Sequence, residues 1–283
     1  MRINMRKIGY LGPEGTFCQE AYYRLNEETL WGKGVIYPTI HNIIKGVAVG
    51  EIEEGIVPIE NSIEGSVNLT IDLLIHQYDL KIKREIIIPI RHHLMTKGKK
   101  QPESLKIIIS HPQAAFQCRR YLEEKIPHAR FREASSTAQA AFIVANRQGP
   151  IGAIAGERAA IVYNLEIIEK DIQMVENNYT RFIVVAKEDN GIITGNDKTS
   201  IVFSVDNKPG CLYRVLQEFA ERGLNLTKIE SRPSRRTLGE YIFWVDVDGH
   251  REERKIKDAI ESIKGKSQIL KVMGSYPVDL SFK

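Results

Sequence analysis

The stretch Asn178-Tyr179-Thr180-Arg181-Phe182 sets an amide, a hydroxyl, a guanidinium and an aromatic ring close together, where a polar run gives way to the apolar run FIVVAK. A guanidinium can grip a carboxylate through two parallel hydrogen bonds. A hydroxyl can deliver a proton once its neighbours make it acidic enough, and an aromatic ring can wall an apolar substrate. Taken alone, the stretch also reads as the start of a strand with alternating faces. Four further runs place polar groups where a strand pattern ends and a helix pattern begins. GYLGPEGTF carries Thr16, and VPIENSIEGSV carries Glu60, Asn61 and Ser62 in a row, where a capping loop needs only one such residue. ISHPQAAFQC carries His111, which suits a cap better than a catalytic base, and EASSTAQAA carries Ser135, Ser136 and Thr137. Asn61 and Ser62 are read as ligand hydrogen-bonding groups, Glu60 as a carboxylate that orients them, and Thr16 as part of an anion-binding turn.

The elements that must position these groups alternate. KIGYL, GVIYP and EGIVPI are strand patterns separated by helical patterns, the signature of an α/β layer with a mostly parallel sheet. LKIKREIIIPIRHHLMT (80–96) breaks that rhythm, and alternation resumes through a second lobe that ends near residue 178. If the strand from Tyr179 to Lys187 returns to the first lobe, the chain crosses between lobes twice. NYTRF then lies at the hinge of a cleft, where such architectures bind ligands. Residues 188–198 (EDNGIITGNDK) read as a linker, and the last 80 or so residues follow the order βαββαβ, a ferredoxin-like arrangement.

Composition narrows the function. The 40 basic and 36 acidic residues are intermixed, with no stripe of one sign, so no nucleic-acid partner is expected. Three scattered cysteines without a CxxC pair argue against a disulfide framework or a structural zinc site. No apolar run approaches the roughly 18 residues of a membrane span, so the expectation is a soluble, cytoplasmic protein without membrane association. The glycines Gly9, Gly12 and Gly15 do not form GxGxxG, and no GK[ST] follows, which weakens a dinucleotide or P-loop reading.

GPEGTF, VPIENSIEGSV, SHPQA, SSTAQAA and NYTRF, followed by a βαββαβ segment bearing ESRP, together resemble prephenate dehydratase over nearly the whole chain. The resemblance implies an α/β catalytic domain of two lobes, like the type II periplasmic binding fold, at 5–187. Lobe 1 would be about 5–80 and 180–187, and lobe 2 about 85–178. A linker at 188–198 and a regulatory ACT domain at 199–276 would follow. It implies Thr180 as the catalytic residue and Thr16, Asn61, Ser62, Ser135, Ser136, Thr137, Asn178, Arg181 and Phe182 as substrate contacts, Arg181 on the pyruvyl carboxylate and Phe182 beside the ring. A phenylalanine site would use Gly210, Leu212, Asn225, Leu226, Glu230, Ser231 and Arg232. The family's GALV motif appears here as Gly210-Cys211-Leu212-Tyr213. No chorismate mutase segment precedes the pattern, so the resemblance is to the monofunctional form. Implied too are prephenate as substrate, L-phenylalanine as inhibiting effector, no metal or organic cofactor, and a homodimer or homotetramer. An arogenate dehydratase and a non-catalytic small-molecule sensor are the competing readings.

Overall fold

The short apolar runs become strands in the computed structural model, which describes residues 6–29, 32–189, 191–235, 237 and 239–282. Residue 5, the expected domain start, and Asn190 of the linker lie outside the described residues. In lobe 1 the chain runs β1 (Lys7–Leu11), α1 (Phe17–Thr29), β2 (Lys33–Tyr37), α2 (Ile40–Val49), β3 (Glu54–Asn61), β4 (Gly65–Ser66), α3 (Asn68–His76) and β5 (Lys81–Pro89). Lobe 2 contains β6 (His93–Thr96), β7 (Ile107–Ser110), α4 (Pro112–Gln117), α5 (Arg119–Lys125), β8 (Arg130–Glu133), α6 (Thr137–Ala145), β9 (Ile151–Ala155), α7 (Glu157–Tyr163) and β10 (Glu166–Glu169). Then β11 (Tyr179–Ala186) returns to lobe 1, where it lies between β3 and β5, antiparallel to both. The sheet orders are β2-β1-β3-β11-β5 and β10-β6-β9-β7-β8.

The lobe boundary falls later than the sequence pattern suggested. β5 stays in the first sheet through Pro89, because Ile86 and Ile88 alternate into the same core as Phe182 and Val184. The crossing segment is therefore 90–92, and the return crossing precedes Tyr179. The ends of β1, β3 and β5, together with the start of β11, share one edge of the first sheet, so the polar runs of lobe 1 gather there.

The last segment forms β12 (Asp197–Ser204), α8 (Cys211–Glu221), β13 (Leu226–Pro233), β14 (Tyr241–Asp248), α9 (Arg254–Lys264) and β15 (Ile269–Pro277), with antiparallel order β13-β14-β12-β15. Buried Cys211, Val215, Glu218 and Phe219 recur every three or four residues along α8, which is why that run is helical and lies on the sheet. One sheet face packs on α8 and α9 through Ile201, Phe203, Val245 and Val247. The other face is not free. Val202, Ile242, Trp244, Met273 and Tyr276 share a core with Ile183 and Val185 of β11 and with residues of α2 and α3. The final domain is thus fused to the underside of lobe 1 and does not hang from its linker.

The join is close at Gly274, whose φ is +150° and where a Cβ would fall 2.3 Å from the Ile82 carbonyl oxygen. Gly274→Ala is expected to destabilise the protein by at least ~1–3 kcal/mol through backbone overlap, read as a lowered thermal midpoint. Gly265→Ala, where the nearest atom would lie at 3.7 Å, should change stability by no more than ~0.5 kcal/mol. Equal midpoints for the two variants would contradict the close join.

Candidate active site

Strand alternation sends Thr180 and Phe182 to one face of the first sheet and Arg181 to the other. Thr180 is half-buried, and its Oγ1 accepts a hydrogen bond of 3.0 Å from Asn61 Nδ2. The orientation of that amide is fixed. Asn61 Oδ1 accepts from the backbone N–H groups of Ile63 and Glu64 at 2.9 and 3.0 Å, and those groups can only donate. Asn61 Nδ2 also reaches Asn178 Oδ1 at 2.8 Å and the Tyr179 carbonyl at 3.1 Å. Because Asn61 donates into Thr180, the threonine's own proton is free to point elsewhere.

The network continues into lobe 2. Asn178, fully buried at the hinge, donates through Nδ2 to Gln117 Oε1 at 3.0 Å. The same oxygen lies 3.2 Å from His92 Nε2, so that nitrogen carries the imidazole proton. His92 is buried, and burial drives its pKa down to about 4 against the support of Gln117, so the ring is neutral near pH 7. Its Nδ1 has no hydrogen-bond partner among the described residues. Ser62 stitches the hinge from the other side, donating to the Asn177 carbonyl at 3.1 Å and accepting from the Tyr179 N–H at 2.9 Å. Asn61 and Ser62 thus hold the strand that carries Thr180. Gln117 and His92 were missed, although a glutamine inside the apolar run AAFQC is a detectable signal.

The remaining expected contacts separate. Thr16 caps α1, donating to the Leu11 carbonyl at 2.9 Å and accepting from the Gln19 N–H at 3.3 Å. Ser136 caps α6 by accepting from the Gln139 N–H at 3.0 Å, Thr137 is the first residue of that helix, and Ser135 is exposed beside them. His111 caps α4, as its pattern suggested. The lobes touch where the GPEG turn meets α7: Tyr163 donates to the Glu14 carbonyl at 2.8 Å, and Arg158 pairs with Glu20 at 2.9 Å. Between them opens a cavity of about 740 Å³ whose lining includes Thr16, Phe17, Ile88, Arg91, Gly156 and Lys170. Neither Thr180 nor Asn61 lines it. It flanks the Thr180 site, reaching β11 through Ile88 and Pro89, the cross-strand neighbours of Thr180 and Tyr179.

Three of the expected residues lie away from Thr180 or are buried. The Arg181 guanidinium points away from Thr180 into the join with the last domain, where Glu85 and Asp246 hold it, so it cannot grip a ligand beside Thr180. Glu60 also faces that side, 3.1 Å from Lys228, and does not orient Asn61. Phe182 is 2% exposed, packed with Ile8, Tyr10, Ile86 and Ile88, and lines no cleft. In the last domain Gly210 adopts φ +83° at the start of α8, Leu212 and Leu226 pack on the local core, and Asn225 donates to Asp248 at 2.8 Å. Glu230 and Arg232 point the wrong way for a site on the outer face. Arg232 makes a bidentate contact to Asp72 of α3 at 3.0 Å, and Glu230 pairs with Lys228 at 3.2 Å and with the Ser66 hydroxyl. Ser231, between them, faces outward and is exposed. Among the described residues no group of three or more His, Cys, Asp or Glu could hold a metal ion, and no helix is long and apolar enough to cross a membrane.

Residues 8–190 match the family model for prephenate dehydratase, and residues 199–265 that for the ACT domain. The chain is 42% identical over 274 residues to a bifunctional chorismate mutase/prephenate dehydratase of Aquifex aeolicus, covering 96% of this chain and 73% of that one. It is 39% identical to the prephenate dehydratase of Methanocaldococcus jannaschii, covering 96% and 98%. Among solved structures, a prephenate dehydratase from Arthrobacter aurescens in complex with L-Phe superposes with a TM-score of 0.86 at 33% identity, covering 96% of this chain and 90% of that one.

The His92 site makes a pH prediction. Its folded pKa lies below the ordinary 6.5, so as pH falls the unfolded chain takes up the proton first and the folded state loses stability between about 6.5 and 4. Replacing His92 by Gln removes that loss, on the order of 3 kcal/mol. Urea unfolding of both proteins across this window should show the shallower slope in the variant, and identical slopes would contradict the buried neutral ring.

Proposed function

Because the chain belongs to the prephenate dehydratase family, we propose that it converts prephenate to phenylpyruvate, water and CO2, with Thr180 as the proton donor. The C–C bond to the ring carboxylate breaks, its electron pair enters the ring, and the C–O bond at the opposite carbon breaks with its own pair. Aromatisation drives the reaction, but hydroxide leaves poorly, so a positioned proton is the most valuable contribution, worth typically ~10²–10⁴-fold. The observation that carries this reading is the Asn61 amide donating into Thr180 Oγ1 at 3.0 Å. Such a donor favours the deprotonated oxygen and directs the hydroxyl proton toward a ligand.

With Arg181 turned away, the two substrate carboxylates need other partners. The N-termini of α1, beside Thr16, and of α6 supply backbone N–H groups suited to anions, and Ser135, Ser136 and Thr137 add hydroxyls. As end product of the route that phenylpyruvate feeds, phenylalanine is the natural inhibitor. It would bind the ACT domain at Gly210, Leu212, Asn225, Leu226 and Ser231. Exposed Tyr213, Ile229 and Tyr241 on that domain suit burial in a homodimer or homotetramer. A reduced cytoplasm suits the three buried free thiols, Cys18, Cys118 and Cys211.

Thr180→Val, which keeps the shape and removes the hydroxyl, should lower kcat on prephenate at least ~10²-fold with little change in KM, while Thr180→Ser keeps far more activity. Supplying prephenate and arogenate separately and assaying phenylpyruvate and phenylalanine identifies the substrate. Near-normal kcat in the valine variant would remove Thr180 from the chemistry.

A further inference from the structure

Arg181 follows Thr180 directly, and its guanidinium is gripped by both domains at once. Nε lies 2.8 Å from Glu85 Oε2 of β5, an electrostatic contact without hydrogen-bond alignment. Nη1 donates to Asp246 Oδ2 of β14 at 2.6 Å, and Nη2 donates to the Tyr276 hydroxyl of β15 at 2.7 Å. Asp246 is fully buried, and its other oxygen accepts from the Ser200 hydroxyl at 2.6 Å and the Trp244 indole at 2.8 Å. Lys198 of β12 completes the set at 2.8 Å from Glu85. Two of the four ACT strands, β14 and β15, thus meet one side chain of the catalytic sheet, and β12 braces its partners through Lys198 and Ser200.

We propose that Arg181 is a positioning residue through which the ACT domain sets the Thr180 end of β11. The inference rests on the reading of Thr180 as proton donor and of phenylalanine as effector. Separating the guanidinium from Asp246 would leave that buried carboxylate without its ion-pair partner, so Arg181 follows the ACT sheet when that sheet shifts. The backbone beside it can yield, because the register of β11 against β3 slips between Arg181 and Phe182. Any displacement carried to Arg181 reaches Thr180 through a single peptide unit and tests its bond to Asn61. A domain that only glued the sheets together would not need its charges aimed at that residue. Apolar packing already supplies such glue further along β11, where Ile183 and Val185 share a core with Val202, Trp244 and Met273.

The test uses the full chain with Asp246→Asn and, separately, Tyr276→Phe. Both should lower kcat by ~10-fold or more with KM and the phenylalanine Kd of the free enzyme within ~3-fold. The factor by which saturating phenylalanine reduces kcat/KM should fall from the ~5–150-fold typical of such coupling toward ~1. A purely structural role would lower the thermal midpoint and leave that factor unchanged. If Asp246→Asn does not fold, Tyr276→Phe decides alone, since it removes one hydroxyl. Folded variants that keep the parent kcat and the full extent of inhibition overturn the proposal, as does a parent enzyme whose turnover saturating phenylalanine leaves unaltered. If the parent turns over no prephenate, the activity reading fails separately. The side-chain amide resonances of Asn61 and Asn178 then decide, with a shift in Tyr276→Phe supporting the link and unchanged resonances overturning it.

Discussion

A guanidinium taken out of water is the constraint around which this molecule is organised. Arg181 is 9% exposed and Asp246 is fully buried. Burial opposes the charge of each, and each offsets that cost for the other: Asp246 holds Arg181 well above its ordinary pKa, and Arg181 with Ser200 holds Asp246 below its own. Removing one partner from such a pair costs about 3–5 kcal/mol. The geometry suits arginine and no other side chain, because Nε, Nη1 and Nη2 face a carboxylate, a second carboxylate and a phenol in three directions. The two hydrogen bonds to Asp246 and Tyr276 fix how the ACT sheet lies under lobe 1, and the apolar seam of Trp244, Met273 and Tyr276 runs beside them.

On the other side of the same strand the polar groups are neutral and form a chain. Thr180, Asn61, Asn178, Gln117 and His92 link lobe 1, the hinge and lobe 2 through hydrogen bonds of 2.8–3.2 Å. The chain fixes the direction of each amide. In the proposed reaction its value is that Thr180 receives a bond and keeps its proton. Strand β11 thus carries charge on its ACT-facing side and neutral hydrogen bonds on the Thr180 side, separated by the alternation of its faces.

Much of this was legible in the sequence. The order βαββαβ and the polar runs at strand ends follow from periodicity and turn residues, whereas the return of the FIVVAK strand to lobe 1 enters the sequence reading only as a condition and is seen in its pairing with β3 and β5. So, in principle, did the failure of the Arg181 assignment, since consecutive residues of a strand cannot both face one cleft. The same alternation separates Ser231 from Glu230 and Arg232. What no local pattern revealed was the partner on the far face: Asp246 and Tyr276 lie 65 and 95 residues from Arg181 along the chain, and only the packing of two sheets brings them together. Asn61 and Ser62 were recognised as unusual, but their targets, the hinge backbone and Thr180, are long-range as well.

The central claim is that one strand joins effector domain and proton donor, and hydrogen–deuterium exchange on the full chain tests it most directly. With saturating phenylalanine, the backbone amides of 179–182 should change protection together with those of β12, β14 and β15, because the Arg181 cluster makes them one cooperative unit. Altered protection confined to the ACT domain, with 179–182 exchanging as in the free protein, would contradict the account.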